Sequence, residues 1–294
     1  MKPWNQVTIV GVGLIGGSLG LALKKANLAA RIVGVGHRQA SLDAARACGA
    51  ADATTLDPAQ GVRGSDLVVL ATAVSKFRSL VEQMASALQK GAVVIDVGSV
   101  KARVVADLEP LVGPRAAFVG CHPIAGSEQR GIAHARDDLF AGEVCVLTPT
   151  ERTPAAALER VAAMWKSLGM TVRTLSPEAH DRLLAEASHL PHVTAAALVT
   201  AISAEAESLV GPGWVDTTRV AGGDAALWRD ILMANREEVA RAIEKAEEVL
   251  GRFRDALERG QADRVFALLA AAKDRRDRLV QSRAGLPQTP NESR

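Results

Sequence analysis

The sequence predicts an α/β domain built on a parallel sheet, followed by an all-α helical domain. Three observations carry this. Short apolar runs alternate with helical patterns up to residue 175, a glycine-rich turn lies directly behind the first run, and only helical patterning continues after Ser176. The runs Val7–Val10, Arg31–Val35, Asp66–Ala71, Ala92–Val97, Ala117–Gly120 and Glu143–Thr148 read as buried parallel strands, with a further run at Thr171–Leu175. Helical patterns fill 16–26, 40–48, 76–89, 101–112 and 154–168 between them. Ser176-Pro177-Glu178 is a helix start, with proline at the first helical position. Beyond it Gly211-Pro212-Gly213 and Gly222-Gly223 divide the helical half, and Asp224 is placed to cap a long helix running through Trp228 toward Leu257. The reading gives domains over 1–175 and 176–280 and a polar, disordered tail over 281–294.

Composition narrows the function. Of 294 residues, 48% are hydrophobic and 23% charged, which excludes global disorder. The 35 basic and 33 acidic side chains leave +2, with no bulk attraction for nucleic acid or an anionic membrane. Aromatics are only 3% and tyrosine is absent, so a base-stacking surface is not expected. Three cysteines without a CxxC pair point to a reducing compartment. The apolar stretch from Val7 to Leu23 is broken by five glycines and meets Lys24-Lys25 before the ~20 residues that a spanning helix requires, so a cytoplasmic protein is expected.

Gly11-Val12-Gly13-Leu14-Ile15-Gly16 has the G-x-G-x-x-G spacing, after a strand and opening a helix, of a Rossmann-type dinucleotide site. Gly11 permits the turn, Gly13 lets a pyrophosphate approach the backbone, and Gly16 lets the helix pack on the strand. The second strand ends in Gly36-His37-Arg38-Gln39, with no acid before Asp43 to hold a ribose 2′-hydroxyl. His37 and Arg38 suit a 2′-phosphate instead, so the cofactor expected is NADP, with NAD the alternative. As ordinary loop residues the two would simply be solvated.

His122 follows an apolar strand, where open parallel sheets bind ligands, and a histidine there can take a proton near neutral pH. Strand alternation turns its neighbour Cys121 to the opposite side, against a Cys-His nucleophile. Ser99, in Asp96-Val97-Gly98-Ser99-Val100-Lys101, is a hydrogen-bonding group that is also placed to cap the next helix. Glu186, His189 and His192 have helical spacing that would suit a metal, but Pro191 disturbs the helix and no distant ligand is evident, so no metal is expected. Arg219, in a polar loop from Asp216 to Asp224, is placed as an anion clamp, its alternative being a surface ion pair.

In their order these pieces resemble the prephenate/arogenate dehydrogenase family of tyrosine biosynthesis. The matching segments are Gly11–Ser18, Asp96–Lys101, His122–Glu128, Ser188–His192 and Thr218–Gly222 followed by Trp228. The resemblance implies a Rossmann domain and a helical domain that forms a homodimer, with prephenate or arogenate as the small-molecule substrate. It implies that C4 of a cyclohexadienol gives hydride to the nicotinamide while His122 takes the hydroxyl proton and the ring carboxylate leaves as carbon dioxide. Ser99 would support the hydroxyl and the histidine, Arg219 would clamp a carboxylate, His192 and Ser188 would line the substrate, and Glu128 would position it. Leu14, Ile15 and Thr72 join the expected cofactor contacts. Where some members carry a basic residue four positions before the arginine, this chain has Val215. No added regulatory or mutase domain is expected. Two other readings stand beside this one: a β-hydroxyacid-type dehydrogenase, whose catalytic lysine has only Lys245 and Lys273 as candidates in the helical half, and a non-catalytic NAD(P)-sensing regulator.

Overall fold

The computed structural model describes residues 2–126 and 129–284. Among them eight strands form one sheet: β1 (Val7–Val10), β2 (Ile32–Val35), β3 (Ala53–Thr55), β4 (Leu67–Leu70), β5 (Ala92–Asp96), β6 (Ala116–Ile124), β7 (Val144–Thr148) and β8 (Thr171–Thr174). Between them run α1 (Leu14–Lys25), α2 (Gln39–Ala47), α3 (Pro58–Val62), α4 (Phe77–Met84), α5 (Ala102–Val112) and α6 (Ala155–Ser167). The order is β3-β2-β1-β4-β5-β6-β7-β8, and the first six strands have the doubly wound parallel order with its switch point between β1 and β4.

The strands are apolar on both faces because helices cover both. Val7, Ile9, Val93 and Ile95 pack with Leu19 and Leu23 of α1 and Val161, Met164 and Trp165 of α6. Val68, Leu70 and Val94 pack with Phe77 and Val81 of α4 and Val104 and Leu108 of α5. One expectation is corrected here. The strand β7 is antiparallel to β6, not parallel, since no long crossover helix separates them; it is parallel to β8, reached through α6. The strand β3 and the short α3 were not anticipated, because Ala53–Thr55 is only half-buried and carries no apolar run.

After the sheet come α7 (Pro177–Leu184), a π-helical turn over Ala185–His189, α8 (Leu190–Ala201), α9 (Ala204–Glu207), α10 (Pro212–Thr218) and α11 (Ala225–Ala234). Asp224 caps α11 as expected, accepting from Leu227 N at 2.7 Å. The long helix expected toward Leu257 is broken at Asn235, whose φ of −119° and ψ of 28° leave the helical region. Its side chain is drawn away to Asp181 O and His189. The chain divides into two compact units, one ending at Asn235 and one starting at Arg236. The second holds α12 (Arg236–Glu258) packed on α13 (Ala262–Ala284). Helix α13 thus runs past the expected start of the tail at 281, and residues 285–294 lie outside those described. No helix among the described residues is long and apolar enough to cross a membrane.

Candidate active site

The turn between β1 and α1 is shaped by what each glycine must avoid. Gly11 has φ +106°, and a Cβ there would lie 2.5 Å from Ala71 O; a Cβ on Gly16 would lie 2.0 Å from Gly11 O. A Cβ on Gly13 would meet nothing within 4 Å, so this backbone faces open space. Gly13 is also the N-cap of α1 and offers no side-chain acceptor, which leaves the first-turn N–H groups of Leu14, Ile15 and Gly16 for an anion. Thr72, just past β4, brings its methyl against Gly11. At the tip of β2, His37 and Arg38 are exposed, and Asp43 is engaged with Gln39. These features fit a dinucleotide.

Parallel pairing of β5 with β6 ends at Ile95↔Val119, while Gly120–Ile124 runs on and pairs with β7. His122 therefore stands beyond the carboxyl end of the parallel ladder, where open sheets bind ligands. Cys121 faces the other way, fully buried in the core, and burial pushes its thiol well above the ordinary range. That geometry removes it as a nucleophile.

His122 is buried and its Nδ1 lies 2.8 Å from His180 Nε2. His180 Nδ1 lies 2.7 Å from Asp181 Oδ1. Burial, then the neighbouring His180, Lys101 and His189, hold the His122 imidazole well below its usual pKa; burial also lowers His180, although Asp181 opposes it. Sequence alone singles out neither His180 nor Asp181: both lie in the helix that Ser176-Pro177-Glu178 opens, and no local spacing ties them to His122.

Asp181 also does the capping expected of Ser99. Its carboxylate accepts from Lys101 N at 2.7 Å and Ala102 N at 2.8 Å, at the start of α5. Ser99 is half-buried in the turn between β5 and α5. Below that turn Lys101 Nζ donates to Asp96 and to Cys121 O at 2.8 Å, and all of Lys101 and Asp96 is buried. Asp96 further accepts from Gly98 N and Cys121 N.

On the helical side, His192 stacks on Trp228 with ring centroids 3.6 Å apart, and His189 meets the same indole edge-on. A Cβ on Gly223 would lie 2.5 Å from Trp228 Nε1, so this position admits the stack only as glycine. Asn235 Nδ2 donates to Asp181 O and sits 3.2 Å from His189 Nδ1, which makes Nδ1 the acceptor and leaves the proton on the buried Nε2. Burial lowers the His189 pKa to about 4 and also lowers that of His192. Glu186 is exposed while His189 is buried, and no group of three or more metal-ligating side chains is assembled among the described residues. Ser188 is half-buried in the π-helical turn. Arg219 is exposed in a 3-10 turn, Arg219–Gly222, that packs on α8; the polar loop expected there is the end of α10 plus this turn. Glu128 lies outside the described residues. Helix α11 is tied to loops of the sheet by Ser75–Asp230 at 2.6 Å and Arg130–Asp224 at 2.5 Å.

Replacing Lys101 by Met should strand Asp96 as an unpaired buried charge and destabilise the fold by about 3–5 kcal/mol. Denaturant unfolding checks this, with the double substitution Lys101→Met/Asp96→Asn recovering part of the loss. Unchanged stability of the single variant would contradict a buried pair.

Comparison with known proteins finds two family matches in succession along the chain. The family described as "Prephenate dehydrogenase, nucleotide-binding domain" matches residues 19–174, and "Prephenate dehydrogenase, dimerization domain" matches residues 176–271. The prephenate dehydrogenase of Bacillus subtilis is 33% identical over 282 residues, covering 94% of this chain and 76% of that protein. The cyclohexadienyl dehydrogenase of Zymomonas mobilis is 34% identical over 242 residues, covering 80% and 82%. A crystal structure of Aquifex aeolicus prephenate dehydrogenase in complex with hydroxyphenyl propionate and NAD+ superposes with a TM-score of 0.88 at 34% identity, covering 94% of this chain and 98% of that one. With both family domains matched in sequence and the fold shared along nearly its whole length, the chain belongs to the prephenate dehydrogenase family.

Proposed function

We propose that the protein catalyses NAD(P)-dependent oxidative decarboxylation of a cyclohexadienol, prephenate or arogenate, in tyrosine biosynthesis. The observation that carries this reading is His122, a buried histidine held neutral beyond the end of the parallel ladder. The turn from Gly11 to Gly16, with Leu14, Ile15 and Thr72, would hold the dinucleotide, which when bound would supply the acceptor for the hydride of C4. His122 takes the proton of the C4 hydroxyl as that hydride departs. The bond from C1 to the carboxylate then breaks, its electron pair completes the aromatic ring, and carbon dioxide is released. Ser99 supports the hydroxyl, and Ser188 and His192 line the substrate. Glu128 positions it, and Arg219 binds a carboxylate.

Residues 1–175 serve the cofactor, and 176–280 serve substrate and dimerisation. The protein acts in the cytoplasm as a homodimer. Supporting the dimer, the second half of α8 is apolar but for Thr200 and exposed throughout, including Leu198 and Val199. His37 and Arg38 support NADP over NAD, since no carboxylate waits at the tip of β2 for a ribose hydroxyl.

The test is reduced-cofactor absorbance with prephenate or arogenate, each with NAD or NADP. Turnover is expected with at least one pair, and His122→Asn should lower kcat by ~10²-fold or more while cofactor binding persists. Cofactor binding without turnover in all four pairs would favour a β-hydroxyacid-type dehydrogenase or the sensing regulator. In the same assay Arg38→Ala should weaken NADP more than NAD; equal effects would remove Arg38 from 2′-phosphate binding.

A further inference from the structure

We propose that His180 and Asp181 are positioning residues that fix the tautomer of His122, so that its Nε2 carries the lone pair presented to the substrate. This rests on His122 being the base, as read above. Each proton position along the chain is forced by the one before it. Asp181 is 3% exposed, and both its oxygens accept from backbone N–H groups, Lys101 N on Oδ1 and Ala102 N on Oδ2. A carboxylate committed this way can only accept from His180 Nδ1, 2.7 Å away, so that nitrogen bears the proton. Burial keeps the His180 imidazole neutral near pH 7, so its Nε2 bears none. His122 Nδ1, 2.8 Å from that Nε2, must then be the donor. A neutral His122 has no second proton, which leaves Nε2 bare.

The same chain serves the charged state. When Nε2 takes a proton, Nδ1–H continues to donate to His180, and the carboxylate charge of Asp181 lies one imidazole away. No proton needs to move along the chain; the two residues orient and polarise the ring. Of the other charged or titratable groups facing the pair, Lys101 at the start of α5 acts against protonation of both rings and His189 of the π-helical turn against that of His122, while Asp96, paired with Lys101, favours it at His180. Asp181 is at the same time the cap of α5, so one carboxylate sets both the helix start and the histidine.

The experiment is NMR of the ring nitrogens in 15N-histidine-labelled full-length protein, with signals assigned from His122→Asn and His180→Gln. The native protein should show His122 and His180 both protonated on Nδ1. In His180→Leu, which removes the acceptor, kcat should fall by roughly tenfold or more with KM nearly unchanged. His180→Gln, whose side-chain oxygen can still accept from Nδ1, should recover part of that loss. A native His122 protonated on Nε2, or a folded His180→Leu protein with native kcat, overturns the proposal. The NMR measurement needs no turnover, so it tests the tautomer of His122 even where the proposed reaction fails.

Discussion

Lys101 is held from both ends, and the geometry of the site depends on it. Its ammonium is buried between Asp96 at the end of β5 and the carbonyl of Cys121 on β6, while its backbone N–H is bound by Asp181 from α7. One residue thus ties two strands and two helices at the place where the sheet ends. A buried ion pair adds little to stability when compared with well-packed apolar residues, but it accepts only one arrangement of its partners. Here that arrangement holds Cys121 at both its N–H and its carbonyl, and so fixes the backbone that carries His122. The lysine charge also disfavours protonation of His122 and His180, adding to what burial does.

Around this fixed point the remaining parts need only space and alignment. Gly11 and Gly16 are required because the turn and the helix pack on backbone atoms, whereas a Cβ on Gly13 would meet only open space. Gly223 does for the histidine–tryptophan stack what Gly16 does for the turn: it lets Trp228 and His192 lie flat on each other where a methyl group would collide. The bonds from α11 to Ser75 and Arg130 are partly exposed, and their energetic worth is small. Their value is in orientation, since they join the helix carrying Trp228 to the loops that follow β4 and β6.

Much of this was legible in the sequence, for reasons of pattern. The parallel strands are continuous apolar runs, the glycine spacing sits between a strand and a helix, and Asp224 announces a helix start. His122 was found because it lies just past the apolar run Ala117–Gly120, which the structure extends as β6 through Ile124. Its partners were not, because His180 lies 58 residues further on and nothing in local spacing brings two histidines together. The cap of α5 was sought in Ser99, the local candidate, and comes from Asp181 across the fold. The break at Asn235 is likewise a tertiary effect: its amide serves Asp181 O and His189, and the helical pattern on either side gives no sign of it. The direction of β7 was misread because an apolar run carries no information on whether its neighbour runs with it or against it.

If a histidine kept neutral by burial and by Lys101 serves as the base, as proposed, the pH dependence of kcat/KM carries its signature. That profile reports the free enzyme, in which the acid limb marks protonation of the base. Because the folded pKa of His122 is depressed, activity should persist as pH falls through the ordinary imidazole value of ~6.5 and be lost only well below it. An acid limb at or above that value, absent in no variant but His122→Asn, would contradict the account, because the histidine would then titrate as an exposed one does.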